Sequence, residues 1–324
     1  MAPDRSALER PIRTIFFGSG PFAVPILDAV VARRDLEIAA VVTPIDRPSG
    51  RYATPTPVPV AAVASTLGLP VLRLRRVREP EAVAAVDALR PTLGVLADFG
   101  QIIPPSILGV PALGILNVHP SILPRHRGAS PIQATILAGD AVAGVSVMQM
   151  DAGMDTGPIL GMRTWAIASD TDAPALEAEA AATGARLLMD VLDLVFAGAA
   201  VAVPQDASRA TTTRPLRRED GRLDPALPAA VLERQVRAFR PWPGSYLELG
   251  SLRLTVHEAE VLPPAADDRS GPLVAEGDGI ALTTSDGRLG LTVVQAAGGR
   301  PMSGAAYLRG HPGLIRSASE GGRR

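Results

Sequence analysis

Asn117 and His119 lie two residues apart in the run Gly114-Ile115-Leu116-Asn117-Val118-His119, just before Pro120-Ser121-Ile122-Leu123-Pro124. If that run is a strand, alternate side chains share a face, so the amide and the imidazole are neighbours. An amide N–H beside an imidazole can bind a developing oxyanion and move a proton, the two requirements of acyl transfer. Two prolines then restrict the loop that follows. A histidine that only braces a turn fits the same pattern, and the pattern alone favours that plainer role. A second segment, Asp151-Ala152-Gly153-Met154-Asp155-Thr156-Gly157-Pro158, sets two carboxylates in a Gly-rich loop after the strand-like Val145–Met150. Such loops bind ligands through backbone groups and serve as ordinary turns with equal ease. A third, Gly18-Ser19-Gly20, can cradle a phosphate at a helix N-terminus or simply turn the chain. Ala23 interrupts the dinucleotide fingerprint there, which disfavours a nucleotide-binding oxidoreductase.

Composition narrows the chemistry further. The chain has 324 residues with 32 basic and 33 acidic side chains, a net charge of −1, so any nucleic-acid contact must be a local patch. All the basic residues are arginines, which removes a lysine Schiff base and a Walker-type phosphate lysine. Cysteine is absent, and with it disulfides, thiolate nucleophiles and Cys-ligated metal sites. The four histidines, His119, His126, His257 and His311, are too scattered for an all-His metal site, so no metal is expected. Met1–Arg13 has charges but no apolar centre, unlike a secretory signal. Ala181–Pro204 is interrupted by Arg186, Asp190 and Asp193 and reads as an amphipathic helix, not a membrane span. A cytoplasmic protein is the expectation.

The elements that must position these residues alternate in the first half of the chain. Strand-like Thr14–Phe17, Ile38–Val42, Val71–Leu74, Leu93–Ala97 and Gly114–Val118 are separated by helical Phe22–Ala32, Val58–Leu67 and Glu79–Leu89 and by a Pro/Gly/Arg loop at Pro44–Pro57. Apolar strands alternating with helices predict a Rossmann-like, mostly parallel sheet covered by helices on both faces, with ligands gathered at the carboxyl ends of its strands. Pro204–Glu219 lacks periodicity and reads as a linker. Arg209–Arg240 holds eight arginines against four acids, and Pro225–Phe239 suits a short helix. Strand-like Ser245–Leu249, Leu252–Glu258, Gly279–Thr283 and Leu289–Gln295 then predict a small β-barrel (OB-like) or sandwich domain. Two domains are expected: residues 1–205, and residues 206–324 with the linker at their start.

The segment Asn117–Gly157 resembles the folate-dependent formyltransferases, whose hallmark is Asn-x-His at a strand end, a Ser-Leu-Leu-Pro loop and a distant Asp. Asp155, 36 residues after His119, matches that Asp. Further matches are Asp46-Arg47-Pro48-Ser49-Gly50-Arg51, Arg125-x-Arg127-Gly128-Ala129-x-Pro131-Ile132-Gln133 and Met148-Gln149-Met150-Asp151-Ala152-Gly153. Arg237-Ala238-Phe239-Arg240-Pro241-Trp242-Pro243-Gly244 and Gly299-Arg300-Pro301-Met302-Ser303 extend them into the second domain. The resemblance spans residues 14 to about 310 and is strongest to the branch that formylates methionyl-tRNA. Three departures stand out. Tyr52-Ala53-Thr54 occupies a loop where the family typically carries lysines, the first turn is Gly-Ser-Gly-Pro in place of Gly-Thr-Pro, and Ile122 replaces a commoner Leu.

What the resemblance implies is transfer of a formyl group from 10-formyltetrahydrofolate to the α-amine of methionyl initiator tRNA, with no membrane or DNA partner. It implies Asn117 and His119 as oxyanion donors and proton carriers, with Asp155 orienting the imidazole or relaying the proton. It also implies a folate cleft involving Leu96, Ala97, Phe99 and Asp151, walled by Ser121, Ile122, Leu123 and Pro124. Arg51, Arg237 and Arg240 are the expected tRNA contacts, and the carboxy-terminal domain is expected to assist. Guanidinium forks can grip phosphate without lysine. The same triad would serve an enzyme formylating an amino-sugar nucleotide or a glycinamide ribonucleotide. A non-catalytic folate- or RNA-binding protein would not need a proton-transfer histidine.

Overall fold

The computed structural model describes residues 10–49, 54–250, 252–264 and 272–313. The chain opens with β1 (Ile12–Gly18), α1 (Ala23–Val31), β2 (Leu36–Pro44) and a short hairpin of β3 (Arg47–Ser49) and β4 (Thr54–Thr56). There follow α2 (Pro59–Thr66), β5 (Val71–Leu74), α3 (Pro80–Ala88), β6 (Leu93–Ala97), α4 (Pro105–Leu108) and β7 (Ile115–His119). Next come β8 (Arg127–Gly128), α5 (Pro131–Ala138), β9 (Val142–Gln149), β10 (Ile159–Ala166), α6 (Ala173–Phe196) and β11 (Thr212–Thr213). The remainder is α7 (Ala229–Ala238), β12 (Ser245–Leu249), β13 (Leu252–Leu262), β14 (Leu273–Glu276), β15 (Gly279–Thr283), β16 (Arg288–Ala296), β17 (Met302–Ser303) and α8 (Gly304–Gly310). The chain divides into two compact units. The first is Met1–Pro131, Val142–Ala166 and Glu177–Arg214; the second is Ile132–Ala141, Ile167–Leu176 and Pro215–Arg324.

The first unit is built on a seven-stranded sheet in the order β10-β9-β7-β6-β1-β2-β5. Its five strands from β7 to β5 run parallel, and β9 and β10 each pair antiparallel with the preceding neighbour. The parallel strands are near-continuous apolar runs because helices cover both of their faces. On one face Ile15, Phe17, Val42, Leu96 and Ile115 pack with Val86 of α3 and Ile107 of α4. On the other face α6 lies so close that a Cβ on Gly184 would come within 2.8 Å of Val118. Each fully buried Leu, Ile, Val or Phe contributes about 1.5–3 kcal/mol, so these two layers hold β7 far more firmly than any single polar contact can.

In the second unit the strands run β12-β13-β16-β15-β14, all antiparallel, with β17 paired to β16. Helix α7 places Ala229, Leu232 and Val236 at helical spacing, and these side chains share a core with Leu254, Val256, Leu289, Leu291 and Val294 of the sheet. The mostly parallel sheet with helices and the separate antiparallel sheet both follow the expectation from strand patterning. Several elements carry no such signal. β10 is an edge strand whose residues alternate irregularly between half-buried and exposed, and β8 and β11 are two residues each. Among the described residues no helix is long and apolar enough to cross a membrane.

Candidate active site

Register places the reactive groups. Asn117 of β7 pairs with Leu96 of β6 and with Met148 of β9, while His119 pairs with Ser146. Asn117 and His119 are both about 5% exposed and share the sheet face that also carries Leu96. The loop between β9 and β10 folds back over this face and brings Asp155 to them. Asn117 Nδ2 donates to Asp155 Oδ1 at 3.2 Å, and the backbone N–H of Gly128 donates to Asp155 Oδ2 at 2.7 Å. His119 Nδ1 lies 3.7 Å from Asp155 Oδ2, and its Nε2 lies 3.1 Å from the carbonyl oxygen of His126. A carbonyl only accepts, so Nε2 carries the proton in the neutral ring and Nδ1 keeps its lone pair toward the carboxylate. The Nδ1 side of the ring therefore faces the Asp155 carboxylate, and the Nε2 side faces the His126 carbonyl. Asp155 has φ 53°, and its side chain is 15% exposed, the most open of the three.

The loop after β7 is tied to the sheet through one buried hydroxyl. Ser146 Oγ donates to the Ser121 carbonyl at 2.8 Å and accepts from Leu123 N at 3.3 Å, and Ser121 Oγ donates to the Arg125 carbonyl at 2.7 Å. Ser121 and Leu123 are buried by these ties, and Ile122 lies against Gly144 of β9. Leu96 and Phe99 belong to the apolar layer beside Asn117, with Phe99 edge-on to Phe17 at 5.5 Å. Ala97, next in the strand after Leu96, points to the opposite face of the sheet and is fully buried. Asp151 Oδ1 accepts from Gly153 N at 3.0 Å and Thr156 Oγ1 at 2.7 Å, so its carboxylate shapes the loop that carries Asp155.

A second acidic pair sits at the first turn. Asp98 has φ 43°, and its carbonyl accepts from Ser19 N at 2.9 Å. Although the residue as a whole is exposed, its carboxyl occupies the space a side chain on Gly20 would take, with Oδ2 1.7 Å from where a Cβ would stand. Exclusion of water there raises the Asp98 pKa. Glu177 is raised as well, mainly by burial and then by the Asp98 charge, with the Phe22 N–H opposing. The N–H groups of Ser19 and Gly20 both donate to the Asp98 carbonyl, at 2.9 and 3.4 Å, so they are engaged within the chain rather than offered to a phosphate.

Arg51 lies outside the described residues. Arg237 and Arg240, both in the second unit, have their guanidinium groups engaged. Arg237 forks onto Glu233 at 2.6 and 2.9 Å and donates to the Thr171 carbonyl at 2.7 Å. Arg240 donates to Asp172 at 3.0 Å and to the His257 carbonyl. The structure brings Asn117, His119 and Asp155 together, sets Leu96 beside Asn117 in the sheet, ties Ser121 and Leu123 to Ser146, and gives Arg237 and Arg240 internal partners.

Sequence reading missed the residues that hold the triad. His126, with φ 57°, offers its carbonyl to His119, and its N–H donates to Thr211 Oγ1 at 2.8 Å. Residues 203–214, which include most of the stretch 204–219 read as linker, are docked along the first unit. Val203 bridges Ile159, β11 pairs with β8, and Ser130 N donates to Thr213 Oγ1 at 3.0 Å. Gln205 reaches from this strap to the Asp155 loop, donating to the carbonyls of Asp155 and Gly157 at 2.9 and 2.7 Å. The matches at Arg127 and Gly128 were the available signal, but nothing in them named a partner on the strap.

Comparison with known proteins adds to this geometry. Residues 12–192 match the formyl transferase family and residues 215–312 its C-terminal domain. The chain is 42% identical over 301 residues to methionyl-tRNA formyltransferase of Roseiflexus sp., covering 93% of each chain. It is 44% identical over 302 residues to that of Chloroflexus aggregans, covering 92% of this chain and 97% of the relative. In fold it is similar to an N-formyltransferase from Helicobacter canadensis solved with folinic acid and dTDP-3-aminofucose. That likeness has a TM-score of 0.63 at 14% identity and covers 86% of this chain and 98% of that one. HypX from Aquifex aeolicus, solved with tetrahydrofolic acid, has a TM-score of 0.58 at 14% identity, over 92% of this chain and 47% of its own.

Proposed function

We infer, from the chain's membership of the formyl transferase family, that it transfers a formyl group from 10-formyltetrahydrofolate to the α-amine of methionyl initiator tRNA. The observation that carries the chemistry is the meeting of an amide, an imidazole and a carboxylate from β7 and the β9–β10 loop. The folate supplies the formyl group on its N10, and in this reading its pterin ring lies at the rim of the buried apolar layer to which Leu96 and Phe99 belong, met by backbone groups. Asp151 and the backbone of its loop, with Ser121, Ile122, Leu123 and Pro124 opposite, complete the cleft in this reading. Ala97 contributes from within the sheet, since its side chain faces away.

Asn117 has two amide hydrogens. One is spent on Asp155, and the other is free to meet the formyl oxygen as charge gathers there. The attacking amine uses its lone pair to form the new C–N bond, while the C=O pair moves to oxygen beside Asn117. His119 Nδ1 takes the proton the amine releases and becomes an imidazolium held between Asp155 and the His126 carbonyl. It returns that proton to N10 as the old C–N bond breaks, ending neutral. Asp155 stays ionised throughout, fixed by Asn117 and the Gly128 N–H. No enzyme nucleophile is needed, in keeping with a chain without cysteine.

For the tRNA, Arg51 makes direct phosphate contact in this reading. Arg237 and Arg240 act chiefly by bracing the Phe239–Gly244 turn through Glu233, Thr171 and Asp172. The carboxy-terminal antiparallel sheet assists in binding, and the place of action is the cytoplasm. The test supplies 10-formyltetrahydrofolate with either methionyl initiator tRNA or an amino-sugar nucleotide and follows the formyl group. Formylmethionyl-tRNA is expected, and His119→Ala should slow its formation by about 10²–10³-fold. Formylation of the sugar alone would end this reading, and an unimpaired His119→Ala enzyme would end the mechanism.

A further inference from the structure

We propose that Gln205 is a positioning residue for formyl transfer, setting the main chain of Asp155 so that its carboxylate faces Asn117 and His119. The proposal rests on the formyl-transfer reading above. Every partner of the Gln205 amide nitrogen is an acceptor, Met148 Sδ at 3.9 Å included, and every partner of its oxygen is a donor, which fixes the orientation of the amide. Its Nε2 donates to two carbonyls, Asp155 O at 2.9 Å and Gly157 O at 2.7 Å, and carbonyls can only accept. Its Oε1 accepts from Arg127 Nε at 3.0 Å and Nη2 at 2.8 Å, and a guanidinium can only donate. A single side chain thus joins the strap to both ends of the turn that contains Asp155.

The turn needs holding. Asp155 sits at φ 53°, a left-handed conformation uncommon for residues with a Cβ, though less so for Asp, and one that surrounding hydrogen bonds help to hold. Within the loop, Asp151 bonds Gly153 and Thr156, but these bonds stop short of the Asp155 carbonyl. Arg127 completes the circuit. It is 8% exposed and lies in β8, whose next residue, Gly128, donates its N–H to the Asp155 carboxylate. Gln205 therefore fixes the backbone of Asp155 from one side, while Gly128 and Asn117 fix its side chain from the other. Because Gln205 acts only through Asp155, its effect should vanish once Asp155 no longer serves.

Single-turnover formylation is measured for the parent chain, Gln205→Met, Gln205→Glu, Asp155→Asn and the double variant Gln205→Met/Asp155→Asn. Hydrogen exchange of the 153–157 amides is followed alongside. Gln205→Glu keeps an oxygen for Arg127 but turns acceptors toward the two carbonyls, and it serves where the methionine variant does not fold. Both Gln205 single variants are expected to lose about 10²-fold in rate, as a displacement near 1 Å does, and to exchange faster at 153–157. In the Asp155→Asn background the Gln205 substitution should change the rate by less than about threefold, because the two act as a unit. A Gln205→Glu enzyme at the parent rate, rates that multiply in the double variant, or unchanged exchange in the loop would each overturn the proposal. A parent chain that leaves methionyl-tRNA unformylated would end the substrate reading alone, and the exchange comparison would still decide whether Gln205 holds the loop.

Discussion

Asn117 is the donor for which the geometry allows the sharpest test. Its Nδ2 stands 3.2 Å from Asp155 Oδ1, so Asn117→Asp would set two carboxylates face to face while removing the N–H proposed to meet the oxyanion. Asn117→Ala removes the donor without adding charge. Both variants are expected to lose about 10²–10³-fold in single-turnover rate. Asn117→Asp alone should gain a new pH dependence, because carboxylates at that distance share a proton and titrate as a pair. Equal pH profiles for the two variants would count against the placement of Asp155. At this scale the triad was legible: spacing of two on a strand predicted the Asn117–His119 pairing, and the family match supplied Asp155. Gln205 was not legible, because a lone glutamine in an aperiodic stretch has no pattern and acquires its role only from what folds against it.

Short elements hold the site as much as long ones do. β8 and β11 are two residues each, yet together they carry Gly128, whose N–H fixes Asp155, and Thr213, which grips Ser130 and the Arg127 carbonyl. Gly128 has φ 106°, and a Cβ there would stand 2.3 Å from the Thr213 carbonyl oxygen. Gly128→Ala must break this pairing or strain it. About 1–3 kcal/mol of strain should appear as a lower Tm in thermal unfolding, and the formylation rate should fall with it. A variant with the parent Tm and rate would show that β8–β11 pairing does not matter to the site. Strands with strong patterns were found at their observed ends, as Val71–Leu74, Leu93–Ala97, Ser245–Leu249 and Gly279–Thr283 show. β10 escaped notice because an edge strand with exposed Arg163 and Thr164 presents no continuous apolar run. β11 escaped because side-chain bonds from Thr211 and Thr213, not burial, hold it in place.

Across the whole molecule charge decides how a large polyanion can be met. A net charge of −1 with all its positive charge on arginine gives no general attraction for tRNA, so binding must come from local arginine groups. The half-saturating concentration of methionyl-tRNA is therefore expected to rise steeply with salt, while that of the folate changes little. Arg51→Ala should reduce the salt slope for tRNA by roughly one unit. Steady-state kinetics across a salt series reads both. A slope unchanged in Arg51→Ala would remove this residue from the phosphate contacts.

Sequence alone determined the layered α/β architecture, the antiparallel sheet that follows it, and the shared strand face of Asn117 and His119, because burial periodicity and short-range spacing are local properties of a chain; Asp155 came from the family resemblance. Tertiary structure decided what local properties cannot. It engaged the N–H groups of the first glycine turn with the Asp98 carbonyl, engaged Arg237 and Arg240 internally, and turned an apparent linker into a strap beside the Asp155 loop. Each of these outcomes depends on which polar group finds which partner after the apolar layers have assembled. A hydrogen bond between residues fifty or more positions apart, such as Gln205 to Asp155, leaves no period in the sequence to be read.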